Sequence, residues 1–245
     1  MKILVSDDVS MKGVELLREN GYEVDVKKNL DEEGLIACIG EYDGLITRSM
    51  THVTEKVIAA ATKLKVVGRA GVGVDSIDLK SATARGIVVV NTPTSNTLAA
   101  TEHTCAMIMA ITRHIPQAHN SLMAGNWDRK TFTGIQLQNK TLGIIGVGRI
   151  GSRIAKRMQA MEMKTIGYDP YIPEERFKQL GVEPVDLDTL LERSDYITMH
   201  TPLTKETTGL IGKDEIAKMK DGVRVINVSV SYTHLRAHET RRHLV

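Results

Sequence analysis

The chain has 245 residues, 42% hydrophobic and 25% charged, which suits a globular protein with room for two modest domains. Arg236, Arg241 and Arg242 against Glu239 supply the whole net charge of +2, so the body of the chain is balanced and offers no basic surface for nucleic acid. No run approaches a membrane span, Met1–Val5 is too short for a secretory leader, and Cys38 and Cys105 stand alone in apolar helical patterns, as reduced core thiols of a cytoplasmic protein would.

Up to Val90 the chain alternates strand and helix. Strands are expected at Lys2–Ser6, Tyr22–Val26, Gly44–Thr47, Lys65–Gly68 and Ile87–Val90. Helices are expected at Met11–Asn20, closed by Gly21, from Asp31 as cap to about Ile39, and from Thr54 as cap through Ala61. Alternation of this kind implies parallel strands with right-handed crossovers, a flavodoxin-like unit. In such sheets ligands sit at the carboxyl ends of strands. Two candidate anion sites fall there: Arg48 with Ser49 after the third strand, and Arg69 with the loop Gly71-Val72-Gly73 after the fourth. A guanidinium fork matches carboxylate and phosphate, and glycines can turn backbone N–H groups towards an anion.

Residues 95–124 read mostly as one long helix with Met107, Ile108, Ile111 and Ile115 on a common face, stopped by Gly125, Asn126 and Trp127. His103, His114 and His119 on it lack the spacing of metal ligands and are expected to be structural or exposed, so no metal is implied.

The apolar strand Leu142–Ile145 then runs into Gly146, Gly148 and Gly151, in G-x-G-x-x-G spacing, and a helix follows. The first glycine makes the turn, the second lets backbone approach a pyrophosphate, and the third lets helix and strand pack closely. The helix start offers a positive dipole end to the phosphates. A second strand, Lys164–Tyr168, ends in Asp169, about twenty residues past the glycines, where a carboxylate bonds the ribose hydroxyls of NAD. Pro170 and Tyr171 follow, with no cation to receive the extra phosphate of NADP, so NAD is the expected cofactor. Further on come Glu183–Val185, a helix at Leu187–Arg193, a strand at Tyr196–Met199 ending in His200-Thr201, a helix at Lys213–Met219 and a strand at Val223–Val228. Thr201 thus falls at a strand end beside the cofactor crevice.

These segments resemble the D-isomer-specific 2-hydroxyacid dehydrogenase family. The resemblance rests on Ile46-Thr-Arg-Ser49, Val67-Gly-Arg-Ala-Gly-Val-Gly-Val-Asp75, Asn91-Thr-Pro93, Gly125-Asn-Trp-Asp-Arg129, the stretch Lys140–Gly151, Gly167-Tyr-Asp-Pro170 and His200-Thr-Pro-Leu203. It implies two doubly wound parallel-sheet domains of α/β class: a flavodoxin-like substrate domain over residues 1–93, and an incomplete Rossmann NAD domain over 94–229. It also implies homo-oligomers formed through the cofactor domain. Carried over by position, Arg149, Ile150, Asp169 and Thr201 would contact NAD, with Val72 near the nicotinamide ribose. Arg48 and Arg69 would bind a carboxylate and a phosphate, helped by N–H groups around Gly71, and Arg129 would reach a neighbouring subunit's site. The implied reaction is hydride transfer from a D-2-hydroxy acid to NAD. A phosphorylated acid suits the three arginines, and members acting on unphosphorylated acids are the alternative. The same architecture also serves NAD-sensing corepressors that bind protein partners, but no recruitment feature is visible.

The chain leaves the family pattern at residue 230. The family's catalytic Arg position is Val230, its Glu and His come later still, and no catalytic residue can be assigned here. Residues 230–245, with His234, His238 and His243 among arginines, read as a non-native tail. The expectation is a polypeptide that carries the binding residues without turnover.

Overall fold

The structure, a computed structural model, describes residues 1–202 and 204–228. Leu203, Val230 and the tail at 230–245 lie outside the described residues. The chain divides into two compact units, Met1–Asn96 and Thr97–Val245.

In the first unit the elements are β1 (Lys2–Val5), α1 (Met11–Glu19), β2 (Glu23–Val26), α2 (Glu32–Ile39), β3 (Gly44–Thr47), α3 (Glu55–Ala60), β4 (Val66–Arg69), α4 (Leu79–Ala84) and β5 (Val88–Asn91). The strands are parallel in the order β2-β1-β3-β4-β5, the flavodoxin-like order, whose switch point lies between β1 and β3. Period-two alternation divides the side chains between two faces. Leu4, Leu45 and Val67 stand in register and pack with Leu35, Ile39, Val57, Ile58 and Ala82 from α2, α3 and α4. On the other face Ile3, Val5 and Val24 pack with Val14 of α1. Asp31 and Thr54 cap α2 and α3 as their side chains imply, accepting from Gly34 N and Val57 N. Helix α4, not apparent in the sequence, begins at a similar cap, Asp78 accepting from Ser81 N at 2.9 Å. At the sheet's outer edge β5 leaves Val88 and Val90 58% and 50% exposed.

In the second unit the elements are α5 (Thr97–Arg113), α6 (Ile115–Met123), β6 (Thr141–Ile145), α7 (Gly151–Gln159), β7 (Lys164–Tyr168), α8 (Glu174–Leu180), β8 (Glu183–Pro184), α9 (Leu187–Arg193), β9 (Tyr196–Met199), α10 (Lys213–Lys218) and β10 (Arg224–Ile226). The parallel order β10-β9-β6-β7-β8 corresponds to the first five strands of the dinucleotide-binding order, with the switch point between β6 and β9. Ile144, Ile154, Met158 and Phe177 centre one core, and Ile145, Ile166, Leu190 and Ile197 the other.

The single helix expected over 95–124 is two helices. His114 takes φ +51 between them, and Pro116 sits in the first turn of α6. Pro116 has no N–H to give the carbonyl of Thr112, which accepts Ile135 N at 3.2 Å instead. The break turns Ile115 away from Ile108. Ile108 is fully buried, whereas Ile115 is 53% exposed. Cys38 and Cys105 lie at the margins of their cores, half-buried and unpaired, rather than within them. Of the three histidines, His103 and His119 are exposed and His114 is half-buried. Among the described residues no three potential metal ligands of the His, Cys, Asp and Glu types converge, and no helix is long and apolar enough to cross a membrane.

Candidate functional site

The second unit's switch point is built on the three glycines. Gly146 ends β6 at φ +88, and a Cβ there would lie 2.7 Å from the carbonyl oxygen of His200 and 3.0 Å from Thr201 Cγ2. The turn therefore lies directly on the end of β9, and only glycine fits. Gly151 packs as closely: a Cβ on it would collide with the carbonyl of Gly146 and meet Ile144 Cγ2 at 3.0 Å. Gly148 is the opposite case, exposed, with nothing within 4 Å of a would-be Cβ. Two glycines are thus demanded by the protein's own packing, and the middle one faces open space where a pyrophosphate could approach the backbone. Ile150 is the N-cap of α7 and packs partly against the core, while Arg149 beside it is exposed.

Asp169 follows β7 and turns its carboxylate to this loop. One oxygen accepts from Val147 N at 3.0 Å and the other from Tyr171 N at 3.0 Å. Each oxygen keeps a further acceptor position for a ribose hydroxyl. Across the loop, Thr201 Oγ1 is buried and has no hydrogen-bond partner, an orphan that a bound ligand would satisfy. His200 N donates to Ile145 O at 2.8 Å, which ties β9 to β6, and its ring Nε2 lies 2.8 Å from Thr198 Oγ1. Burial pushes the His200 imidazole down to about 4, so the ring is neutral at physiological pH. The bare Gly148 backbone, the placed Asp169 and the unsatisfied Thr201 fit a dinucleotide.

In the first unit the candidate residues lie at the carboxyl ends of β3 and β4. Thr47 and Arg69 are register partners, which sets Arg48 and Arg69 on neighbouring strand ends. Arg48 is exposed, and its Nη1 reaches Asp8 O at 3.4 Å; Ser49 beside it is exposed too. Arg69 folds over the glycine loop: a Cβ on Gly71 would lie 2.5 Å from Arg69 Nη1. A side chain on Gly71 would therefore push the guanidinium aside. Arg69 Nε is buried without a partner, as is Thr47 Oγ1. The loop is strapped from β5 and beyond, by Thr92 N to Gly71 O at 3.0 Å and Asn91 Nδ2 to Val72 O at 2.6 Å. Val72 and Gly73 are consequently held at the surface. The strapping roles of Asn91 and Thr92 were not evident from the sequence, although both lie in a segment that carries the resemblance. Arg129 belongs to the second unit, on the loop after α6, where it lines a cavity of about 190 Å³ with Leu122, Trp127 and Phe132.

This chain belongs to the D-isomer specific 2-hydroxyacid dehydrogenases, and residues 105–231 match the NAD binding domain of that family. It is 51% identical over 229 residues to a D-3-phosphoglycerate dehydrogenase of Archaeoglobus fulgidus, covering 94% of this chain and 44% of that protein. It is 50% identical over 226 residues to a human D-3-phosphoglycerate dehydrogenase, covering 92% of this chain and 42% of that one. The chain therefore spans less than half the length of these curated relatives. Among solved structures it superposes on the NAD+-bound 3-phosphoglycerate dehydrogenase of Entamoeba histolytica with a TM-score of 0.76 and 33% identity, covering 93% of this chain and 71% of that one.

Proposed function

We propose that this chain is the binding portion of an NAD-dependent D-3-phosphoglycerate dehydrogenase, an enzyme that oxidises the acid to 3-phosphohydroxypyruvate at the entry to serine synthesis. The observation that carries the reading is the pair Arg48 and Arg69 on adjacent strand ends, in a chain whose other unit is an NAD-binding domain. An acid bearing both carboxylate and phosphate uses two guanidinium groups where an unphosphorylated acid needs one. Similarity to relatives of that name supports the choice over reductases of unphosphorylated acids.

Residues 1–93 form the substrate domain in this reading and 94–229 the cofactor domain. NAD, when bound, supplies the nicotinamide ring that accepts the hydride. Gly146, Gly148 and Gly151 with the start of α7 hold its pyrophosphate, Arg149 and Ile150 flank it, Asp169 takes the ribose, and Thr201 uses its orphan hydroxyl. Val72 lies near the nicotinamide ribose. Arg48, Ser49, Arg69 and the amides about Gly71 and Gly73 orient the acid. Oxidation also requires a base for the hydroxyl proton. Among the described residues no histidine forms an ion pair with a carboxylate, and the family's arginine position is Val230. The polypeptide therefore binds both ligands without turning them over.

Self-association through the second unit is part of the same reading. Ile115, Leu122, Met123 and Trp127, on and just after α6, are 53%, 54%, 74% and 75% exposed, an apolar surface beside Arg129 that a second copy would cover. A cytoplasmic location agrees with two unpaired cysteines.

Calorimetric titration with NAD and 3-phosphoglycerate, alongside an assay for NADH, tests the reading. Binding of both without NADH supports it. Failure to bind NAD refutes it, and turnover at an ordinary enzymatic rate, about 1 per second or more, refutes the inactive form.

A further inference from the structure

We infer that Asp7 is a positioning residue for the acid, holding the Arg48–Thr51 loop from below through its backbone rather than touching the ligand. This rests on the reading of Arg48 and Ser49 as substrate-binding residues.

Asp7 follows β1 and Arg48 follows β3, the two strands that flank the switch point of the first sheet. The Asp7 residue is only 4% exposed. One carboxylate oxygen accepts both Arg48 N, at 2.5 Å, and Thr51 N, at 3.2 Å. Beside it, Thr51 Oγ1 donates to Ser6 Oγ at 2.9 Å, and Ser6 Oγ donates to Ile46 O at 3.3 Å. Ser6 and Thr51 are buried as well, so a small polar cluster lies directly under the loop. Among the described residues no cation lies within ion-pair distance of Asp7. Among the described residues these two backbone amides are its only hydrogen-bond partners, and charge-assisted bonds of this type are the strong ones.

The tie fixes which way the loop's amides face. Those of Arg48 and Thr51 point inwards to Asp7. Those of Ser49 and Met50 have no partner among the described residues, and both residues are exposed, Met50 at 78%. Arg48 therefore leaves a fixed stem, with two free N–H groups immediately after it. An anion held by the guanidinium can take those amides without displacing any bond of the protein. Without Asp7 the Thr51 amide would be buried and unpaired, the loop would rearrange to satisfy it, and the stem of Arg48 would move.

The test uses the whole 245-residue chain. Amide hydrogen exchange by NMR is measured at residues 48–51, with titrations of 3-phosphoglycerate and NAD, for wild type, Asp7→Ala and Asp7→Asn. In Asp7→Ala, exchange at Arg48 and Thr51 should quicken about tenfold and affinity for 3-phosphoglycerate fall about tenfold, as expected for a lost charge-assisted acceptor. Affinity for NAD should stay within about twofold, because all of its residues but Val72 lie in the other unit, and Val72 is on a different loop from Asp7. Asp7→Asn, whose amide oxygen can accept the same two N–H groups, should recover most of both losses. A folded Asp7→Ala chain with undiminished affinity for 3-phosphoglycerate overturns the inference, as does a parallel fall in NAD affinity, which would mark general damage. If Asp7→Ala does not fold, wild type decides: Arg48 and Thr51 amides should be protected and those of Ser49 and Met50 fast and shifted by 3-phosphoglycerate, and equal exchange at all four defeats the idea. A wild-type chain that takes NAD but no 3-phosphoglycerate sinks the substrate reading instead, leaving the exchange rates to decide whether Asp7 holds the loop.

Discussion

Gly146 lies against the carbonyl of His200, with 2.7 Å between that oxygen and any Cβ placed on the glycine. The first glycine of the cradle and the end of β9 are thus one packed joint, whereas a Cβ on Gly148, two residues on, would meet nothing within 4 Å.

That contrast separates folding from binding. Gly146→Ala meets a backbone carbonyl and a φ of +88 together, and should destabilise the second unit by about 2–4 kcal/mol. Gly148→Ala should change stability by less than about 1 kcal/mol yet weaken NAD binding tenfold or more, about 1.4 kcal/mol, because its Cβ would fill the space left for the pyrophosphate. Urea denaturation and NAD titration of the two variants check this, and equal loss of stability in both would contradict it.

Asp169 is held by two backbone amides yet keeps room for further donors. Asp169→Ala should weaken NAD binding by about 1.5–3 kcal/mol, the worth of hydrogen bonds to a charged group, and narrow the preference for NAD over NADP. Paired titrations with the two cofactors measure both effects.

Gly71→Ala displaces the end of a flexible arginine rather than backbone. It should cost less than about 1 kcal/mol of stability while shifting the Arg69 guanidinium enough to weaken 3-phosphoglycerate binding about tenfold. Denaturation with acid titration would show that split, and a stability loss without a binding loss would count against it.

The buried imidazole of His200 sets a pH dependence of known sign. Its folded value of about 4 lies below the ordinary 6.5, so the unfolded chain binds the proton more readily. Stability from this group is complete above pH 6.5 and falls as the pH drops towards 4, by up to about 3 kcal/mol. In His200→Gln that part of the acid loss should vanish. Denaturation midpoints between those pH values for variant and wild type give the difference directly.

The sequence made the alternation of strand and helix legible because each short apolar run is bounded by a cap or a glycine, as Asp31 and Thr54 show for α2 and α3. The cofactor cradle was legible because its three glycines act within a few residues of one another. Helix α8 starts at Pro173 with no side-chain cap to mark it, and α4 was missed although Asp78 caps it as Thr54 caps α3. The break at His114 was hidden because apolar spacing continues through Pro116, although the proline itself was the available signal. Asp7 could not be found this way, since its partners lie 41 and 44 residues along the chain and only the sheet brings them together.

The bare outer margin of β5 carries a practical cost. Val88 and Val90 lie exposed on one face of β5, the last strand of the first sheet, whose four residues include no lysine or proline to discourage another chain from adding to it. Concentrated stocks should accordingly accumulate strand-paired assemblies, visible as thioflavin fluorescence rising with protein concentration. A single Val88→Lys exchange should suppress them, because an ammonium group repels its own copy along such a seam.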